Sequence, residues 1–93
     1  MSEEIKHQQN EHKGAFIFEV DGKALAEMTY TGTDTTIIID HTDVDASLKG
    51  QGVGARLVEA CVNWARAQKI KIIPLCPFAK SQFDKHPEYS DLL

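Results

Sequence analysis

The sequence predicts a small α/β (α+β) domain built from an antiparallel N-terminal meander, a strand, glycine loop, helix and parallel strand, and short C-terminal helices. Three observations predict it. Asp21-Gly22 separates two runs of alternating apolar residues, a two-residue hairpin signal, because both positions tolerate positive φ. Gly50, Gly52 and Gly54 stand between a β-branched run and a run of helical periodicity. Pro77 directly follows the apolar run Ile70 to Cys76 and suits the first position of a helix.

The chain has 93 residues, enough for one domain burying about 60% of its unfolded surface. Hydrophobic residues make up 42% and charged residues 26%, near the averages for globular domains. A net charge of −4 without a Lys/Arg stripe argues against nucleic acid as a partner, since such binding needs several phosphate contacts. No apolar run approaches the roughly 20 residues that span a bilayer, and the N-terminus lacks a signal-peptide core. The expectation is a cytoplasmic protein with no membrane partner. Cys61 and Cys76 are too few for a disulfide framework and read as reduced thiols. Oligomeric state is left open, a monomer being compatible with the sequence.

Residues 1–13 are polar and read as a mobile tail, leaving 14–93 as the domain. His7 and His12 fall in that tail with no ligand motif around them, so no metal is expected. Ala15 to Val20 places Phe16, Phe18 and Val20 on one side of a strand. The return strand, Lys23 to Thr31, carries Ala24, Ala26, Met28 and Tyr30 on one face, and Thr31-Gly32-Thr33-Asp34 makes the second turn. The third strand, Thr35 to about His41, contains three consecutive isoleucines, which suit a central strand covered on both faces. Thr42 to Ser47 reads as a polar connection.

From Gly52 to Lys69, Val53, Leu57, Val58, Cys61, Trp64 and Ala65 form the apolar stripe of a helix, with Arg56, Glu59, Asn63 and Arg66 opposite. Ile70, Ile72, Ile73 and Leu75 make a short buried strand, parallel to the third because a helix intervenes. Pro74 cannot donate to a ladder, so a splay between these two strands is expected. A short helix follows from Phe78 to about Lys85. Pro87 opens a final turn through Tyr89, with Leu92 and Leu93 to hold the end.

Glycines as dense as those in Gly50 to Gly54 let backbone N–H groups approach a ligand with no Cβ in the way. Running directly into a helix, the loop adds the positive end of the helix dipole, which suits a phosphate or pyrophosphate. Gly50-Gln51-Gly52-Val53-Gly54-Ala55 also fits the letters of a dinucleotide fingerprint, but a polar connection precedes it and no acidic residue closes the next strand. Gly54-Ala55-Arg56 lacks the Lys-Ser/Thr of a Walker A loop. Asp43-Val44-Asp45 begins like a calcium loop, but Leu48 stands where glycine is needed and Gly54 where the bidentate glutamate belongs.

Lys49-Gly50-Gln51-Gly52-Val53-Gly54, between a strand and an amphipathic helix, resembles motif A of the GNAT superfamily of N-acetyltransferases, Arg/Gln-x-x-Gly-x-Gly/Ala. Leu75-Cys76-Pro77-Phe78-Ala79-Lys80, with Phe83 and His86-Pro87-Glu88-Tyr89, is similar to a compact GNAT-like branch of acetyl-CoA-binding proteins. The resemblance spans about Gly14 to Leu92. It implies a GNAT-like fold with splayed parallel strands and acetyl-CoA as cofactor, its pyrophosphate on the amides of Lys49 to Gly54. It also implies pantetheine near Val44 and the acyl end near Cys76. Lys49 stands where Arg or Gln is usual, keeping a donor without the planar fork. Asp21-Gly22 joins strands between which larger members insert helices.

Cys76 is the first chemical candidate, because a thiol before Pro77 lies near a helix N-terminus, where the dipole favours thiolate. It can accept the acetyl group or assist its transfer. His41, at the end of the third strand, is the candidate general base toward an amine. Phe78 can pack against pantetheine and Lys80 can meet a cofactor phosphate, whereas Phe83 reads as core. Cys61 lies in the helix stripe and reads as core too; Asp40, Asp43 and Asp45 read as turn and loop residues, and His86 as a cap. The expected function is N-acetyl transfer to an amine acceptor of unspecified identity. The alternatives are a non-catalytic acetyl-CoA-binding adaptor or sensor and, less favoured, a protein-interaction module with an incidental glycine loop.

Overall fold

Asp21 and Gly22 both take positive φ, 51° and 84°, and join strand β2 (Lys13–Val20) to β3 (Lys23–Gly32) in the turn the Asp-Gly pair predicts. β3 continues antiparallel into β4 (Thr36–Val44). Helix α1 (Val53–Gln68) then carries the chain to β5 (Lys71–Pro74), which pairs parallel with β4. Helix α2 (Pro77–Lys85) and a 3-10 segment (Pro87–Leu92) end the chain. With an N-terminal strand β1 (Glu3–Gln9), the sheet order is β1-β2-β3-β4-β5. This computed structural model describes residues 3–93. None of its helices is long and apolar enough to cross a membrane.

β1 corrects the expectation of a mobile tail over residues 1–13; of that segment, Met1 and Ser2 lie outside the described residues. Antiparallel pairing places Ile5 opposite Phe18 and His7 opposite Phe16. An edge strand needs only one inward row, and Ile5 and His7 supply it, so composition alone hides the strand. The turn closes where Asn10 N–H donates to Lys13 O at 2.9 Å and Asn10 Oδ1 accepts from Lys13 N–H at 3.1 Å. The His7 ring stacks on Phe16 at 4.1 Å between centroids, meets Trp64 edge-on at 4.6 Å, and bonds the Tyr30 hydroxyl at 2.5 Å.

His7→Ala is expected to lower stability by about 1–2 kcal/mol at neutral pH, through lost ring contacts and one hydrogen bond, measured by denaturant unfolding. Burial pushes the His7 imidazole below its ordinary 6.5, so below that pH the unfolded chain takes the proton more readily than the folded one. Stability conferred by His7 is therefore complete above about pH 6.5 and declines as the pH falls toward the lower folded value. The gap between wild type and His7→Ala should narrow over that window.

The second turn lies two residues later than expected. Thr33 N–H donates to Thr36 O at 2.8 Å, and the Thr33 hydroxyl accepts from the N–H groups of Thr35 and Thr36 at 3.3 Å each, a local side-chain bond that fixes the turn. Residues 42–44, expected in a polar connection, instead extend β4, because β3 is long enough to pair them: Met28 faces Thr42 and Ala26 faces Val44. An irregularity at Asp40, held by a 2.5 Å hydrogen bond from the Thr29 hydroxyl, re-phases the strand so that Thr42 and Val44 turn toward the helices.

Those helices share one face of the sheet. Phe16, Phe18, Met28, Ile37, Ile39 and Ile72 pack with Leu57, Val58, Cys61 and Val62 of α1 and with Ala79, Phe83, Tyr89 and Leu92 beyond it. Among the described residues the other face carries no helix. Ile38 is consequently only half-buried, while Ile73 and Leu75 are 49% and 67% exposed. This corrects the expectation that the isoleucine strand is covered on both faces and that Ile70, Ile72, Ile73 and Leu75 are all buried; of these four only Ile70 and Ile72 are.

Candidate functional site

The loop before α1 is built from short-range hydrogen bonds that leave its amides facing outward. Asp45 Oδ1 accepts from Ser47 N–H at 2.9 Å and opens a 3-10 turn, Ala46–Leu48; hydrogen bonds from Ser47 hold the Asp45 carboxyl below the usual carboxylate range. Gly50 and Gly52 follow with φ of 81° and 70°, a region that side chains with a Cβ rarely adopt. A Cβ placed on either one meets no atom within 4 Å, so open space lies in front of both. Gly52 caps α1 without a side-chain hydrogen bond. Arg56 N–H donates to Gly52 O at 3.1 Å; the N–H groups of Gly52, Val53, Gly54 and Ala55 have no partner among the described residues. Orphan amides at the positive end of a helix dipole make an anion site.

Gly54 works differently from its neighbours. Its Cβ would stand 2.6 Å from the Phe78 ring, so this glycine lets α1 and α2 approach each other. The three alternate glycines thus divide between backbone conformation and helix packing.

A cleft of about 390 Å³ opens in front of the loop. Thr42 and Val44 of β4 form one wall, Leu48, Lys49, Gly50 and Gly52 to Ala55 the floor, and Phe78 and Gln82 of α2 the other wall. It exists because β4 and β5 part company. Their pairing ends at Ile39 opposite Pro74, after which Leu75 N–H turns back to Ile73 O at 3.0 Å and Cys76 N–H reaches Ile39 O at 2.9 Å. Proline, lacking an N–H, ends the ladder as expected.

Cys76 stands at that divergence as the residue capping α2, with its carbonyl accepting from Lys80 N–H at 2.9 Å. Its thiol donates to Thr42 Oγ1 at 3.5 Å across the gap. Burial works to raise the thiol's pKa, but once the sulfur is ionised it accepts instead, from the Thr42 hydroxyl and the N–H groups of Ala79, Phe78 and Thr42, and these bonds outweigh burial, so Cys76 lies below its ordinary 9.0. Cys61, enclosed in the core, is pushed up to about 12 by burial. In the native protein, iodoacetamide should therefore modify Cys76 and spare Cys61, with a half-maximal rate below pH 9. Thr42→Val should shift that profile to higher pH. Peptide mass mapping across pH reads both.

The other expected site residues separate. Lys49, Gly50, Gly52, Val53, Gly54, Val44 and Phe78 all line the cleft. Gln51 and Cys76 are not among the lining residues: Gln51 is exposed and its side-chain amide donates to Ser47 O at 3.4 Å, and Cys76 is buried beside Thr42, which does line the cleft. Lys80 is exposed on the far side of α2. His41 is exposed and opposes Thr29 on the helix-free face, so the alternation of β4 brings Thr42, rather than His41, beside Cys76. His86 stacks on Tyr89 at 4.8 Å and pairs with Glu88 at 3.1 Å, and Phe83 is core. Thr42, Leu48, Ala55 and Gln82 are the lining residues that sequence reasoning missed: the first lay in a supposed connection, Ala55 directly follows the glycine motif, and Leu48 and Gln82 have no motif. A second cavity, of about 410 Å³, lies at the opposite end of the molecule beside Tyr30, Asp34, Trp64 and Gln68. It adjoins the negative end of the α1 dipole, whereas the smaller cleft adjoins the positive end with its unpaired amides, so the smaller cleft is the better candidate for an anionic ligand.

The model of the GCN5-related N-acetyl-transferase family matches residues 15–92. The fold is similar to the solution structure of a GCN5-like N-acetyltransferase candidate from Staphylococcus aureus, with a TM-score of 0.69 and 43% identity over 96% of this chain and 85% of that one. It is also similar to the ribosomal-protein-alanine N-acetyltransferase of Brucella melitensis biovar Abortus, with a TM-score of 0.66 and 18% identity over 84% of this chain and 63% of that one. AAC(6')-Iy, solved with the bisubstrate analogue CoA-S-monomethyl-acetylneamine, gives a TM-score of 0.59 and 17% identity over 87% of this chain and 63% of that one. At these two lower identities the likeness concerns the fold. No functionally curated protein matches in sequence.

Proposed function

Because the chain belongs to the GCN5-related N-acetyltransferase family, we propose that the cleft between β4, the glycine loop and α2 binds acetyl-CoA and that the protein transfers its acetyl group to an amine. The observation that carries this reading is the row of unpartnered N–H groups from Gly52 to Ala55, facing open space at Gly50 and Gly52. These amides donate to pyrophosphate oxygens, and Lys49, on the same floor, adds a positive charge. The edge of β4 from Asp40 to Val44, which has no β5 partner, holds the pantetheine arm by its backbone groups.

Acetyl-CoA supplies an acyl group already activated as a thioester. Cys76, with its lowered thiol pKa at the divergence of β4 and β5, is the nucleophile of this reading. Its Sγ forms a bond to the acetyl carbon, the original thioester C–S bond breaks, and the departing CoA sulfur is protonated by solvent. An amine then attacks the acetyl carbon, releasing Sγ. His41, on the helix-free face, takes the proton of an amine that approaches from that side.

Incubation with acetyl-CoA and a panel of amines, following free thiol and intact protein mass, tests the proposal. Amine-dependent release of CoA, with an acetyl adduct absent in Cys76→Ser, is the expected result. CoA bound without thiol release would indicate a non-catalytic binder instead, and no CoA binding at millimolar concentration would overturn the cofactor assignment.

A further inference from the structure

Among the described residues Gln82 is the buried polar one, 8% exposed, yet its side chain makes no hydrogen bond with any of them. Buried side-chain amides are almost always paired. Gln82 is not sealed in, because no buried side-chain nitrogen or oxygen among the described residues is both fully dry and unpartnered. What access it has is through the cleft, whose wall it forms with Phe78, one helical turn earlier on the same face of α2. Packing alone is better served here by leucine or methionine, which fill a similar volume without an unpaired amide. A carboxamide also differs from the unpartnered N–H groups of the floor, which only donate: it both donates and accepts. Its chemical match is a group that does the same, namely a secondary amide.

We propose that Gln82 is a ligand-reading residue, whose side-chain amide pairs with a secondary amide of the pantetheine arm and so distinguishes an acyl-CoA from a nucleotide lacking that arm. The inference rests on the acetyl-CoA reading of the cleft. Calorimetric titration with CoA and with adenosine 3′,5′-bisphosphate, which has no pantetheine arm, tests it on wild type and Gln82→Leu. The expected result is a loss of CoA affinity of about tenfold in Gln82→Leu, the size of one or two net hydrogen bonds, with affinity for the bisphosphate unchanged. The melting temperature of the ligand-free variant should equal or exceed that of wild type, since an unpaired buried amide has been removed; a residue with a merely structural role would lower it. Unchanged CoA affinity, or equal loss for both ligands, overturns the Gln82 contact while leaving the cleft assignment standing. Failure of the wild-type protein to bind CoA overturns the cleft assignment and this inference with it. Gln82→Asn, which keeps the amide but draws it back, should show an intermediate loss.

Discussion

Gly52→Val is expected to lower acetyl-CoA affinity by at least about 100-fold, corresponding to the loss of two charge-assisted hydrogen bonds. Two effects combine at this position. Gly52 has φ of 70°, which costs a residue with a Cβ roughly 1–2 kcal/mol and a β-branched one more. The open space before it, moreover, is where the valine methyls go, between the ligand and the amides of Val53 and Gly54. Gly22→Val separates the two effects, because Gly22 has φ of 84° and open space as well but sits in the β2–β3 turn, remote from the cleft. It should reduce thermal stability comparably and leave acetyl-CoA affinity unaltered. Equal affinity losses in both variants would mean that the loop matters through stability alone.

Cys76→Ser is expected to reduce acetyl transfer by about 100-fold or more, as removal of an activated nucleophile commonly does, with acetyl-CoA affinity staying within about twofold. Serine preserves the helix cap and the bond toward Thr42, and its hydroxyl stays protonated where the Cys76 thiol ionises. Steady-state rates together with equilibrium titration distinguish the outcomes. An unchanged rate would show that the amine attacks without a protein-bound intermediate, leaving Cys76 a packing role beside Thr42.

Much of this architecture is legible in the residues. Asp21-Gly22 specifies its turn because both positions need positive φ, and the α1 stripe from Val53 to Ala65 is visible because a helix on a sheet needs one apolar face. Pro74 marks the end of the β4–β5 ladder because its nitrogen carries no proton. What escapes is what depends on a partner strand. β1 has one aliphatic side chain, and its pairing is secured by His7 among Phe16, Tyr30 and Trp64, contacts distant in sequence. Thr42 and Val44 look like loop until β3 is known to reach them.

The candidate site divides along the same line. Its glycine floor is a local signal, since unpaired amides and positive φ follow from the sequence of the loop itself. The walls are not local. Thr42 meets Cys76 across the divergence of β4 and β5, and Gln82 faces the cleft because Gly54 allows α2 to close on α1. His41 shows the cost of reading a strand without its irregularity: one shift of phase at Asp40 decides which side chains face the helices.

The helix-free face bears on the acceptor. A two-residue turn joins β2 to β3, so no helix is available there to wall an acceptor pocket, and Ile73 and Leu75 are left exposed next to the divergence. On the proposed reading, an amine reaching the acyl end of the cleft from this side would meet an open surface rather than an enclosed pocket.

The central claim is that the glycine loop and the divergence of β4 and β5 together hold acetyl-CoA. A backbone-amide NMR titration of the isotope-labelled protein with acetyl-CoA tests it most directly. The account predicts saturable shifts concentrated at Gly50, Gly52, Val53, Gly54 and Ala55 and extending to Thr42 and Cys76. Absence of shifts at millimolar ligand, or shifts confined to the opposite cavity around Tyr30, Asp34 and Gln68, would contradict it.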